Sequence, residues 1–110
     1  MNWLAGLAAL SGAIAVAAGA FGEHGAEGKA AEYLRLGGQY QLVHAVAVLV
    51  ALQLGARGPG WMLLAGGAVF AGTLYLMAVG GPRWLGAVTP IGGTLLIVGW
   101  LWLAWVTMRR

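Results

Sequence analysis

The chain has 110 residues, of which 61% are hydrophobic and 8% charged, with 20 glycines and a formal charge of +3. A water-soluble domain carries about 25% charged residues, and chains this short bury only roughly 60 to 70% of their surface, so this much apolar surface cannot be hidden from water in a core. A soluble globular fold is therefore excluded, as is a disordered chain, which would be poor in apolar residues; an integral membrane protein remains, read as a single membrane domain over residues 1–110.

The first apolar run, Trp3 to Phe21, crosses close to 30 Å of hydrocarbon at about 1.5 Å per residue and is span one (residues 3–21). A cleavable leader is the competing reading, disfavoured because Met1-Asn2 lacks a positive flank. In this span Ala5, Ala8, Gly12, Ala15, Gly19 and Gly22 recur at three-and-four spacing and line one face. Lipid gives no hydrophobic drive between helices, so such stripes hold bundles together by close backbone approach.

Residues 22–38 form the polar connector, with Glu23, Glu27, Lys29, Glu32 and Arg35. The spacings Lys29-Glu32 and Glu32-Arg35 suit helical ion pairs, and Ala26 to Leu36 predicts a short interfacial helix between spans one and two. His24 sits here beside Glu23. These side chains are potential metal ligands, but their spacing matches no standard motif, and neither a metal nor a haem cofactor is expected.

Span two (39–55) opens on Gln39, Tyr40 and Gln41, with His44 one turn after Tyr40 on the same face. An ionisable residue inside a span is a functional candidate by default; the plainer alternative is a neutral imidazole bonded to a neighbour. Span three (61–79) is entered through Gly58-Pro59-Gly60 and span four (84–106) through Gly80-Gly81-Pro82. Connections this short make the later spans antiparallel neighbours. Small-residue stripes recur as Ala65, Ala68 and Gly72 in span three and as Gly92 and Gly99 in span four. Thr89-Pro90 predicts a kink in span four or, less well, a helix start capped by Thr89. Trp3, Trp61, Trp84 and Trp105 fall near span ends, where an aromatic belt belongs. The fold class is thus all-α, an integral membrane four-helix bundle.

Lys29, Arg35 and Arg83 lie at one end, and Arg57, Arg109 and Arg110 at the other, so the positive-inside count ties at three against three. These residues form no basic stripe for nucleic acid to follow. The absence of cysteine excludes disulfides and thiolate chemistry. The lone serine, Ser11, without any aspartate in the chain, excludes a serine triad, and no enzyme activity is expected.

Four blocks carry a resemblance: Gly19-Ala20-Phe21-Gly22-Glu23-His24-Gly25, Tyr40-Gln41-Leu42-Val43-His44-Ala45, Gly72-Thr73-Leu74-Tyr75, and Thr89-Pro90-Ile91-Gly92-Gly93 followed by Gly99-Trp100. In this order the chain resembles the YgdD/YwdK family of small bacterial inner-membrane proteins, which has a eukaryotic transmembrane branch. The resemblance implies a four-span protein of the inner membrane, attaches no activity to it, and marks His24, Tyr40, His44, Tyr75, Thr89 and Pro90 as candidate site residues; the small-residue stripes, independently, give Gly12, Gly19, Gly72, Gly92 and Gly99 as packing positions. Two functions compete. One is a non-catalytic structural, assembly or lipid-contacting component, partnered by membrane lipids and by copies of itself or a larger membrane complex. The other is a small transporter or channel, against which stands the absence of Asp, Glu, Lys and His from spans one, three and four.

Overall fold

The computed structural model describes residues 2–110, which form four helices in chain order: α1 (Trp3–His24), α2 (Gly28–Gln53), α3 (Arg57–Ala78) and α4 (Leu85–Met108). All four are long and apolar enough to cross a membrane. α1 starts cleanly because the Asn2 side chain accepts a hydrogen bond from the Ala5 amide at 3.0 Å, occupying a donor that has no partner inside the helix.

The connector expected over residues 22–38 is only three residues long, and no separate interfacial helix forms. α1 runs on through His24, and residues 28–38 are the opening turns of α2. The Gly37-Gly38 pair looks like a break, because glycine costs about 1 kcal/mol in a helix interior. Here the pair is a contact patch. A Cβ at Gly37 would lie 2.7 Å from the Tyr75 ring on α3, and one at Gly38 would lie 3.0 Å from the Ala15 carbonyl on α1. Close approach on both sides offsets the propensity cost, and the helix continues. At 26 residues α2 is about 39 Å long by its rise, more than the hydrocarbon core needs, so its charged first turns project into the headgroup layer. Arg35 pairs there with Glu23 at the end of α1, at 3.8 Å, rather than with Glu32, which meets Lys29 at 3.6 Å.

Gly58-Pro59-Gly60 is likewise not a turn before the third helix but its first turn. Proline is tolerated there because that amide has no intrahelical acceptor. The chain reverses instead over residues 54–56, where Gly55 takes a φ of +74°, and after α3 at Gly80, with a φ of +93°. α4 begins at Leu85 and passes through Pro90, so Thr89 is not its cap.

α1 packs on α2, α2 on α3 and α3 on α4, with a smaller contact between α1 and α3. α2 and α4 both lie on α3 and have few close backbone contacts with each other. A core of Leu4, Ala8, Val48, Ala51, Leu63 and Leu96 runs between the helices. The outer surface is apolar, with Leu10, Ile14, Val46, Ile97 and Leu101 more than half exposed. This is the reverse of a soluble protein and suits a lipid surround.

Candidate functional site

Polar side chains of α1, α3 and α4 reach two residues of α2, Gln41 and His44. Gln41 is buried and uses both ends of its amide: Nε2 donates to Ser11 Oγ on α1 at 2.9 Å, and Oε1 accepts from the Tyr75 hydroxyl on α3 at 2.6 Å. One side chain thereby ties three helices. One turn further on, His44 Nδ1 lies 2.6 Å from the carbonyl oxygen of Tyr40, and Nε2 lies 3.0 Å from Trp100 Nε1 on α4. A carbonyl only accepts and an indole N–H only donates, so these partners select the Nδ1–H tautomer of a neutral ring, with Nε2 accepting from Trp100. Protonation at Nε2 would break the link to α4.

Aromatic contacts frame this bond. The Tyr40 ring stacks on His44 with centroids 6.2 Å apart and touches Phe70 at 4.7 Å, while Trp100 meets the imidazole edge-on at 5.8 Å. A second cross-link joins α3 to α4, where the Thr73 and Thr89 hydroxyls lie 2.6 Å apart: one donates its single proton to the other, and the accepting hydroxyl donates its own to a carbonyl of its helix, Phe70 for Thr73 or Leu85 for Thr89. No buried side-chain nitrogen or oxygen among the described residues lacks a hydrogen-bond partner.

The candidate residues marked by the sequence therefore divide. Tyr40 and His44 form one unit, Tyr75 belongs to the Gln41 node, and Thr89 pairs with Thr73. Pro90 lines the space between α2 and α4 together with Tyr40 and His44. His24 stands apart, exposed at the end of α1 and about 24 Å along α2 from His44, counted as helix rise from Gly28. No group of three or more metal-ligating side chains occurs among the described residues.

The glycines divide as well. A Cβ on Gly92 would overlap the Phe70 backbone and come within 2.9 Å of the Gly66 carbonyl, and one on Gly99 would lie 2.8 Å from Leu63. Gly12 leaves ordinary van der Waals room, at 3.8 Å from Ala45. Gly19 has nothing within 4 Å of its own Cβ position, but its backbone lies against α2, where a Cβ on Gly38 would come within 3.1 Å of the Gly19 nitrogen; Gly72 has nothing within 4 Å of that position. On α3 the close approach shifts to Gly66, while Ala65 and Ala68 face outward.

Ser11, Gln41, Thr73 and Trp100 join the site only through tertiary contacts. A usable signal existed for Gln41: an amide inside an apolar span needs partners, and the chain has few hydroxyls to supply them.

Residues 18–93 match the family described as "Protein of unknown function (DUF423)". The chain is 40% identical to a UPF0382 membrane protein of Staphylococcus epidermidis, covering 94% of this chain and 93% of that protein. It is 37% identical to the UPF0382 membrane protein YwdK of Bacillus subtilis, over 86% and 87% of the two chains, and 37% identical to one from Haemophilus influenzae, over 94% and 91%. No solved structure matches it.

Proposed function

Since the chain belongs to the DUF423 family, whose relatives are named UPF0382 membrane proteins, we propose that it is a non-catalytic, multi-pass protein of the bacterial inner membrane that works as a lipid-embedded structural component. The observation that carries this reading is mutual satisfaction. Gln41, Ser11, Tyr75, His44, Trp100, Thr73 and Thr89 hydrogen-bond one another or the helix backbone, and every Glu, Lys and Arg lies at or beyond a helix end or in the opening turns of α2. A proton or ion relay needs a group free to change partners, and coupled export of a cation needs an intramembrane carboxylate. The network here staples helices together instead. In this reading the chain associates with copies of itself or within a larger membrane complex, and small outward-facing residues on α3 leave room for a neighbouring helix.

Reconstitution in proteoliposomes tests it. Wild-type protein and His44→Ala are expected to leak protons and small ions no faster than empty vesicles, with His44→Ala lowering thermal stability alone. Flux that the wild type supports and His44→Ala abolishes overturns the reading in favour of a small transporter or channel.

A further inference from the structure

We propose that the cleft between α2 and α4 binds an anionic phospholipid, with the phosphate at Arg83 and an acyl chain lying over Phe70 toward Trp100. The cleft exists because α2 and α4 both rest on α3 with few close backbone contacts between them, and the Trp100–His44 hydrogen bond bridges it. It consists of two hollows that share Phe70 and Pro90. The outer one, about 390 Å³, is walled by Tyr33, Met77 and Arg83; the inner one, about 500 Å³, by Tyr40, Gly93 and Ile97, and it ends at His44 and Trp100. From Tyr33 to His44 the rise along α2 is about 16 Å, roughly half the 30 Å of hydrocarbon, which is the depth of one leaflet.

Charge at the mouth sets the class of ligand. Three basic residues stand at this end of the bundle. Lys29 is held by Glu32 and Arg35 by Glu23, whereas Arg83 has no carboxylate partner among the described residues. An exposed, uncompensated guanidinium beside an apolar slot attracts the phosphate of a lipid. The Tyr33 and Tyr40 hydroxyls have no hydrogen-bond partner among the described residues either, and they lie on the cleft wall in succession below the mouth. Beyond them the lining holds no further cation, so the inner half suits a hydrocarbon chain and not a second anion. The groove between α1 and α2, about 410 Å³, offers a contrast: its only cation, Arg35, is already paired with Glu23.

The site goes beyond the structural role proposed above, and its failure would leave the flux result untouched. The test is native mass spectrometry of delipidated protein in mild detergent, with equal amounts of phosphatidylglycerol and phosphatidylcholine added. Wild type is expected to retain one phosphatidylglycerol with about fivefold preference, the scale of one basic residue near an anionic headgroup. Arg83→Gln loses the preference, Arg83→Lys keeps most of it, and Arg35→Gln behaves as wild type. Gly93→Leu, whose Cβ has ordinary room at 3.8 Å from Phe70, fills the inner hollow and lowers retention of both lipids several-fold. Helical circular dichroism and a monodisperse elution profile check that each variant is folded. Equal retention of the two lipids by wild type, full preference in Arg83→Gln, or full occupancy in Gly93→Leu overturns the proposal.

Discussion

Helix α4 meets its two neighbours in opposite ways. Against α3 it comes backbone to backbone where Gly92 rests on the Phe70 main chain and Gly66 on that of Leu96, and Gly99 seats the Leu63 side chain. Toward α2 it reaches only with side chains, an indole extended to an imidazole, and the space beside that bond stays open. The contrast shows what holds helices together when lipid is the solvent. Hydrocarbon packs against leucine as well as another helix does, so apolar side chains alone do not drive two helices together. Dispersion between closely apposed backbones does so where small residues permit it, and hydrogen bonds do so where they do not.

Substitution at the glycine contact is expected to have the largest effect. Gly92→Ala places a methyl group into main-chain atoms that cannot move aside, and overpacking of this kind costs about 1 to 3 kcal/mol. Thermal or detergent-titrated unfolding of the purified protein measures it. The adjacent Gly93→Ala, which meets only the Phe70 ring at 3.8 Å, sharpens the comparison by remaining near wild type. Equal losses at the two positions would mean that glycine is required for backbone conformation and not for proximity.

The polar staples come next. Gln41→Leu removes two hydrogen bonds and strands the Ser11 and Tyr75 hydroxyls, with an expected loss of about 1 to 2 kcal/mol. A double-mutant cycle with Tyr75→Phe isolates the pairwise part, expected near 0.6 kcal/mol, the average for hydrogen bonds between membrane helices. Trp100→Phe keeps an aromatic ring but removes the donor to His44 together with part of the indole's bulk, so the loss is at least the roughly 0.6 kcal/mol of the hydrogen bond, and α4 moves more freely against α2. Site-directed spin labels on the two helices read that motion as a broader distance distribution.

The smallest effect belongs to the headgroup layer. Glu23→Gln unpairs Arg35, whose partner is 3.8 Å away and exposed, and the expected change is below about 0.5 kcal/mol and vanishes in high salt. In lipid vesicles the same variant leaves Arg35 without a carboxylate beside the groove between α1 and α2. If Arg83 selects an anionic lipid because it is unpaired, freeing Arg35 adds a second site of lower occupancy.

Composition and hydropathy were enough to place this chain in a membrane as four helices, because spanning segments must satisfy their own backbone and be apolar all round, and both demands are local. The start of α1 at Asn2 is local for the same reason. Where local rules failed, a distant contact had intervened: Gly37-Gly38 reads as a break until Tyr75 and Ala15 are seen against it. The Tyr40 and His44 pair was legible because one helical turn relates them. Their connection to Trp100 lies 56 residues away in sequence, and those from Gln41 to Ser11 and to Tyr75 lie 30 and 34 away. Periodicity names the face a residue occupies, but not the helix that faces it. Which glycines meet a backbone, which staples form and which basic residue is left unpaired at the mouth of a cleft follow from how four separately stable helices settle against one another, and that choice belongs to tertiary packing.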